Sequence, residues 1–497
     1  MTRFFIFLSI LAFTAGCASV FTANCDKPKS KKGNEYVVLV SRTVASDTAW
    51  NAVAQALRTK HNAALFVFEE APRAALEYLR AERPRYVAIV EMPENLNRDY
   101  IIDAHRMSRE LDDDIYADYL WGVISGYDAE SAMRMVTNSV EPLVVKNAVA
   151  TIMETNSAKW FDRYGYVDDH TAGLWGEKKG PGEPVVNGNI PREQVLRKFT
   201  DLYAAYDPDL VLTAAHATEK NLEMPFSLGD LRPRDGRLYA DDHFTGEKWD
   251  LVGSGKRKVY FAIGNCLIGN FLNMRDCMAA AWINGENAAV MSGYVVTTWH
   301  GRNGWGGLKY WLTTPGRYTL PQAVYLNQQD LLYQLNEWAP DIIREKFDYD
   351  SNYFYAQSET IRKLAAAVGG NPTKDQLGFW HDRDVLAYYG DPKWDVRLQQ
   401  IPEENDFTVS SRTQRNRVTI TIQTKPNFSL ERMAGDGFKE EHVLDLPFSY
   451  FFPERLENPR LAAGQSWKAA VSKDFLLIYD PGFEPGKTYT IVLETDK

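Results

Sequence analysis

From Tyr36 onward, short runs of β-branched and aromatic residues alternate with amphipathic stretches, and this alternation restricts the chain to a mainly parallel sheet flanked by helices. Tyr36-Val37-Val38-Leu39-Val40, Ala64-Leu65-Phe66-Val67-Phe68 and Tyr86-Val87-Ala88-Ile89-Val90 read as strands, with helices expected over 49–60, 71–82 and 100–111. Strands separated by helices need crossover connections, so they pair in parallel. A second set of candidate strands follows at Ala148 to Met153, Leu210 to Thr213, Val259 to Ile263 and Ala288 to Met291. In open α/β sheets the chemistry gathers beyond the carboxyl ends of the strands. His216 and Cys266 each stand just past one.

The 497 residues exceed what one core usually organises. Residues 305–368 look mostly helical, and after about Ile401 the pattern changes to alternation in Val418-Thr419-Ile420-Thr421-Ile422 and Tyr489-Thr490-Ile491-Val492-Leu493, separated by Pro- and Gly-rich turns, which predicts a small antiparallel sandwich. The expected division is a signal segment over 1–16, a tether over 17–34, an amino-terminal α/β part over 35–145, a second α/β part over 146–400 and a β-sandwich over 401–497.

The formal net charge of -10 argues against nucleic acid as a partner, because binding a phosphate backbone needs an excess of Lys and Arg. Arg3 followed by the apolar run Phe4 to Phe13 has the form of an export signal and is too short to span a bilayer. It ends in Thr14-Ala15-Gly16-Cys17, a lipobox-like sequence with Thr14 where Leu is usual. Cleavage there leaves Cys17 as a lipidated first residue and makes the protein an exported, membrane-anchored lipoprotein of the periplasm or cell surface; the alternative is ordinary cleavage near Ala18 or Ala23. The lysine-rich stretch from Cys25 to Asn34 then reads as a flexible tether. With Cys17 and Cys25 in this region, only Cys266 and Cys277 remain for the folded body, and no CxxC or Cys/His spacing suggests zinc. These two could form a disulfide in an exported protein or stand as separate thiols.

A thiol peptidase needs a nucleophilic sulfur, a histidine that shuttles its proton and amide groups that hold the oxyanion. His216 and Cys266 supply the first two types, and His300 is the competing base. The words around them carry more. Asp209-Leu210-Val211-Leu212-Thr213-Ala214-Ala215-His216-Ala217-Thr218 resembles the histidine strand and turn of the gingipain-type cysteine peptidases, a branch of the caspase-like clan, and Val259 to Phe271 (VYFAIGNCLIGNF) resembles their nucleophile strand. The helix and strand that follow there are matched by Asp276 to Trp282, Gly285 and Ala288 to Gly293. Asp114-Ile115-Tyr116-Ala117-Asp118 and Tyr388-Tyr389-Gly390-Asp391-Pro392 add matches in the same order, so the resemblance covers about 36–400, and the sandwich corresponds to the immunoglobulin-like module that often follows.

The resemblance implies a caspase-like α/β fold in two subdomains and an endopeptidase acting on protein or peptide substrates through a thioester on Cys266, with His216 as acid and base. It also implies that the Ala217 N–H helps hold the oxyanion, that Glu154 orients the imidazole, and that Trp299 walls the primary specificity pocket. Relatives cut after basic residues by means of an acidic pocket residue, for which Asp162 or Asp168 could serve. The chain departs from the family in carrying Ala215 and Ala217 where glycines flank the histidine, which adds a Cβ where substrate backbone must approach. No catalytic metal or organic cofactor is expected; structural calcium at Asp112-Asp113-Asp114 is the one ion left open. The rival reading is a non-catalytic surface module that keeps the peptidase scaffold, and a third is a zymogen covered by the Gly-, Pro- and Lys-rich residues 170–195. Gly304-Trp305-Gly306-Gly307 reads as a turn, and Cys277 as a packed thiol.

Overall fold

The structure, a computed structural model, describes residues 33–496 apart from 153–156, 227, 351–357, 401–405, 436–437 and 439–443. One twelve-stranded sheet organises the α/β part. In chain order its strands are β1 (Tyr36–Ser41), β2 (Ala64–Phe68), β3 (Tyr86–Val90), β4 (Leu120–Ile124), β5 (Asn147–Ala150), β6 (Arg163–Val167), β7 (Leu174–Lys178), β8 (Val186–Asn189), β9 (Leu210–Thr213), β10 (Lys258–Ala262), β11 (Ala288–Tyr294) and β12 (Leu386–Gly390). Across the sheet the order is β2-β1-β3-β4-β12-β11-β10-β9-β5-β6-β7-β8. β1, β3, β9, β10 and β11 are buried along their whole length, as expected of strands covered on both faces and written mostly in apolar residues.

The sheet is two parallel blocks of opposite direction. β2, β1, β3, β4 and β12 run one way, and β11, β10, β9, β5 and β6 the other, because β11 and β12 pair antiparallel with Tyr294 opposite Leu386. The edge where β9, β10 and β11 end is therefore the edge where β1, β3 and β4 begin. β12 comes from the far side of the second α/β part yet extends the first block. Its end is locked by the buried carboxylate of Asp391, which meets Lys60 Nζ at 2.8 Å, His61 Nε2 at 2.6 Å and the Tyr36 hydroxyl at 2.9 Å.

The first expected helix keeps its bounds to within a residue, and two others shift by several. In α1 (Thr48–His61) the Asp47 carboxylate caps the N–H groups of Ala49 and Trp50, Asn62 closes the end in the left-handed conformation, and Trp50, Val53, Ala54 and Leu57 form the buried stripe. The 71–82 segment opens with a 3-10 turn at Pro72–Ala75 before its helix Leu76–Glu82, and the expected 100–111 helix is α2 (Arg98–Met107). On the second block lie α3 (Val195–Tyr206), α4 (Met278–Asn284), α5 (Arg302–Thr313) and α6 (Leu320–Trp338), followed by α7 (Lys374–Asp382).

Two sequence expectations fail here, and one feature was not foreseen. Residues 170–195, a candidate cleavage or cover loop, contribute the antiparallel edge strands β7 and β8. Gly304-Trp305-Gly306-Gly307 is helix, not turn: α5 crosses so close to the end of β10 that a Cβ on Gly304 would lie 2.1 Å from the Ile263 carbonyl oxygen, so glycine is needed for contact despite its poor helix propensity. Between β9 and β10 a five-stranded antiparallel meander spans Ala217 to Asp250, in strands of two to six residues without a sustained apolar alternation.

The trailing sandwich is as expected. One sheet holds Phe407–Gln414, Arg417–Thr424, Thr488–Glu494 and Arg460–Leu461, the other Phe448–Phe451, Phe475–Tyr479 and Lys468–Ser472, and both give side chains to one core that includes Ile420, Ile491, Phe448 and Ile478. Its seam with the α/β part joins apolar packing, with Phe475 and Leu477 in the α/β core, to polar contacts: Arg85 Nε meets Asp474 at 2.9 Å, the Tyr479 hydroxyl donates to Asp330 at 2.8 Å, and Lys473 Nζ binds both Asp112 and, at 2.9 Å, Asp118. One oxygen of Asp112, in the acidic run that the sequence left open to calcium, thus faces an ammonium group.

Candidate active site

β9 and β10 are adjacent and parallel, with Thr213 opposite Ala262. His216 follows the first by three residues and Cys266 the second by four, so the two turns leave the same edge side by side. Asn265 ties them together. Its Nδ2 donates to the Ala215 carbonyl at 2.8 Å, and its Oδ1 accepts from the Thr213 hydroxyl at 2.6 Å. Ile263 N–H donates to the Thr213 carbonyl at 2.9 Å. Beyond the site residues the same two segments are clamped again, by Asn270 Nδ2 on the Glu219 carboxylate at 2.8 Å and by Met278 N–H on the Glu219 carbonyl at 2.8 Å. The histidine turn and the nucleophile turn are therefore cross-linked on both sides of the residues they carry.

Cys266 is half-buried, and Cys277 is fully buried at the start of α4; both are free thiols, which removes the disulfide alternative. The Cys266 Sγ lies 3.4 Å from both the N–H and the carbonyl oxygen of Thr298. Burial pushes its pKa up, the Thr298 amide opposes the rise, and the Asp382 carboxylate adds to it, so the resting group is a thiol. Leu267, the next residue, has φ +58°, in the left-handed region that a leucine avoids at a cost of about 1 kcal/mol. Its N–H donates to the Val296 carbonyl at 3.0 Å, and Gly269 N–H donates to Tyr294 at 2.9 Å, so the strained turn is held against the continuation of β11.

That continuation carries Trp299, whose side chain is 55 % exposed beside the Thr298 contact. His216 is exposed, and its carbonyl accepts from Glu223 N–H at 2.9 Å, which fixes the turn into the meander. Ala217 is buried in the meander's first strand. Glu154, expected to orient His216, lies outside the described residues; Thr151, at the end of β5, bonds the backbone of Ala214 in both directions, at 2.9 Å and 3.2 Å. Cys17 also lies outside them.

The two acidic pocket candidates separate. Asp162 precedes β6 and sits at the opposite edge, its N–H on the Lys146 carbonyl. Asp168 follows β6 on the same edge as His216, is 2 % exposed, accepts at Oδ1 from His170 N–H, and has an Oδ2 with no hydrogen-bond partner among the described residues.

Sequence reasoning missed a buried group beneath the nucleophile turn. Asp382, at the end of α7, accepts from His381 Nδ1 at 2.7 Å, from the Tyr294 hydroxyl at 3.2 Å and from the Arg302 N–H that opens α5. The Tyr294 hydroxyl in turn accepts from Asn303 N–H and Gly304 N–H. His300 lies next to this group, its ring 5.6 Å from that of His381, and burial lowers its pKa to about 4 against the pull of Asp382. A neutral, buried imidazole is a structural neighbour more readily than an acid–base group, which must reach substrate. Asn265 stands beside Cys266 in sequence, so its position was the one available signal.

No family model matches the chain, and no curated protein matches it significantly. Among solved structures it is similar to a complex of the pro- and mature domains of Porphyromonas gingivalis RgpB, at 12% identity over 93% of each chain with a TM-score of 0.38. It is similar also to the Arg-specific cysteine proteinase gingipain R, at 10% identity over 95% of this chain and 93% of that one with a TM-score of 0.37. A third similar structure is described only as a protease, at 10% identity over 78% and 84% with a TM-score of 0.35.

Proposed function

We propose that the chain is an exported cysteine endopeptidase, held at a membrane surface by a lipid on Cys17, that cleaves proteins or peptides through Cys266 with His216 as acid and base. One observation carries the reading: Cys266 and His216 leave neighbouring parallel strands at the same edge, on turns cross-linked through Asn265. Because burial holds Cys266 as a thiol, a base is required. His216 takes the Sγ proton as sulfur attacks the scissile carbonyl, and the Ala217 N–H receives the oxyanion. The imidazolium then protonates the departing amine as the C–N bond breaks, leaving a thioester. Water, deprotonated by His216, attacks that thioester; the acid product leaves and the sulfur recovers its proton.

Glu154 would orient the imidazole as the aspartate does in serine peptidases. Trp299 would wall the pocket for the residue preceding the cut, and the carboxylate of Asp168, buried and half-partnered on the same edge, would select Lys or Arg there. Among the described residues no helix is long and apolar enough to cross a membrane, and no group of His, Cys, Asp or Glu side chains is arranged to hold a metal ion.

A second reading has one observation in its favour. Ala215 and Ala217 flank His216 where the resembling peptidases carry glycines, as in a scaffold no longer used for cleavage. Labelling with a peptide-based thiol-reactive probe ending in Arg, together with peptide hydrolysis, separates the two. Wild type should label and cleave, Cys266→Ala and His216→Ala should each lose hydrolysis almost completely because they remove parts of one chemical unit, and Cys277→Ala should keep most of it. Hydrolysis undiminished in Cys266→Ala, or an inert mature wild type across a broad peptide library, would overturn the enzyme reading.

A further inference from the structure

A cleft of about 420 Å³ opens between the α/β part and the sandwich, within the size range of small-ligand sites. Its wall combines three arginines, Arg85, Arg317 and Arg397, with Gln322 and the rings of Tyr318 and Tyr450. Two of the three cations are neutralised. Arg85 Nε pairs with Asp474 at 2.9 Å, and its Nη groups donate to the Pro453 and Phe452 carbonyls. Arg397 Nε pairs with Asp395, and its Nη1 donates to the Arg317 carbonyl at 2.9 Å. The one carboxylate in the wall, Glu35, is held by Lys393 at 2.8 Å.

Arg317 is different. Its guanidinium stacks over the Phe407 ring at 4.1 Å, and one Nη donates to the Phe407 carbonyl at 3.2 Å. Its Nε is buried without a hydrogen-bond partner, and no carboxylate among the described residues forms an ion pair with it. Burial lowers its pKa, and the groups that oppose the fall are two phenols, Tyr318 and Tyr450, rather than an acid. Holding a half-buried cation without a counter-charge is costly. The helix start beside it also leaves a donor: Gln322 gives its Oε1 to the Thr319 N–H in the capping box of α6, so its Nε2 remains to donate.

We infer that this cleft is a binding site for an oxyanion, a carboxylate or phosphate carried on a small flat or apolar body, with Arg317 as its charge partner and Gln322 as a second donor. The guanidinium is fixed in advance by its stacking and by the Phe407 carbonyl, which favours planar, forked recognition of such a group. The aromatic lining suits the body that carries the charge. Because residues of both the α/β part and the sandwich line the cleft, an occupant would hold the two together and raise the stability of the whole chain.

The test is thermal unfolding of the full mature chain at constant ionic strength, titrating benzoate or inorganic phosphate against chloride. A saturable rise in Tm with benzoate identifies the carboxylate form, and one with phosphate the phosphate form. In Arg317→Met the apparent affinity should fall at least about tenfold, the loss expected for a hydrogen-bonded charge. Gln322→Glu keeps the capping box while bringing a resident carboxylate to the cleft, so it should abolish the response even if Arg317→Met folds poorly. No difference between either anion and chloride in wild type, or an undiminished response in Gln322→Glu or in a folded Arg317→Met, would overturn the inference.

Discussion

Two buried carboxylates behave in opposite ways. At the end of β12, burial raises the pKa of Asp391, but the hydrogen bond from His61 and the charge of Lys60 outweigh it and bring the group down to about 2. At the seam between α6 and the sandwich, burial raises Asp330 to about 6, because the hydroxyls of Tyr479 and Tyr310 stabilise the charged form only in part. Burial is common to both; the difference lies in what faces the oxygens. The Lys60 charge and the His61 hydrogen bond make Asp391 an anion that locks the first block, whereas hydrogen bonds from the Tyr479 and Tyr310 hydroxyls only partly offset burial at Asp330, which keeps its proton to higher pH than an ordinary carboxyl.

Removing the charge from Asp391 tests the first half of this comparison. Asp391→Asn leaves Lys60 and His61 facing a neutral amide in a buried site and should cost about 3–5 kcal/mol, read from the urea midpoint at pH 7. The folded pKa of Asp391 lies below its unfolded value of about 3.9, so its contribution is present above pH 4 and is lost as pH falls toward 2. The variant should therefore lose most relative to wild type at neutral pH and converge on it in acid. An equal deficit at pH 2.5 and pH 7 would break the comparison.

The smaller effect has the opposite sign. The folded pKa of Asp330 lies above its unfolded value, so the folded state holds the proton more tightly and loses stability as pH rises from about 4 through about 6. Asp330→Asn removes that loss and should match or exceed wild type at pH 7, by up to about 2 kcal/mol, while showing no gain at pH 4. Denaturation at both pH values checks it, and a deficit at pH 7 larger than at pH 4 would mean that the carboxylate is ionised and needed. Smallest of all, Tyr479→Phe removes one of the two hydroxyl donors and should cost about 1 kcal/mol at pH 7. It should also raise the folded pKa further and extend the loss of stability to higher pH; an unmoved profile would mean that the Tyr479 hydroxyl does not hold the Asp330 pKa down against burial.

The expected strands at 36–40, 86–90, 210–213 and 259–263 were legible because strands covered on both faces must be apolar throughout. The sandwich was legible from its alternation. The meander was not: Asn221–Glu223 and Lys248–Asp250 are too short and polar for a periodic signal. Strands β7 and β8 were hidden by their glycines, Gly176 and Gly188, which lie against Tyr166 and Trp175 in pairings that composition cannot reveal. At the candidate site, His216 and Cys266 stood out as chemistry-bearing residues past strand ends, but Asn265, which ties their turns, and Thr298, which touches the sulfur, are ordinary residues whose roles come from contacts across more than thirty positions.

By itself the sequence determined the elements, since propensity, capping and apolar period are local properties: Asp47 and Asn62 mark the ends of α1 wherever that helix is packed. It also determined that a thiol and an imidazole would each follow a strand. Only the tertiary structure decided that those strands are neighbours running the same way, that β12 returns to reverse the sheet's direction, and that Asp391 meets Lys60 and His61 while Asp330 meets the hydroxyls of Tyr310 and Tyr479. Such outcomes depend on which distant residues share a boundary, and the field around a buried group is set by those neighbours rather than by its own place in the chain.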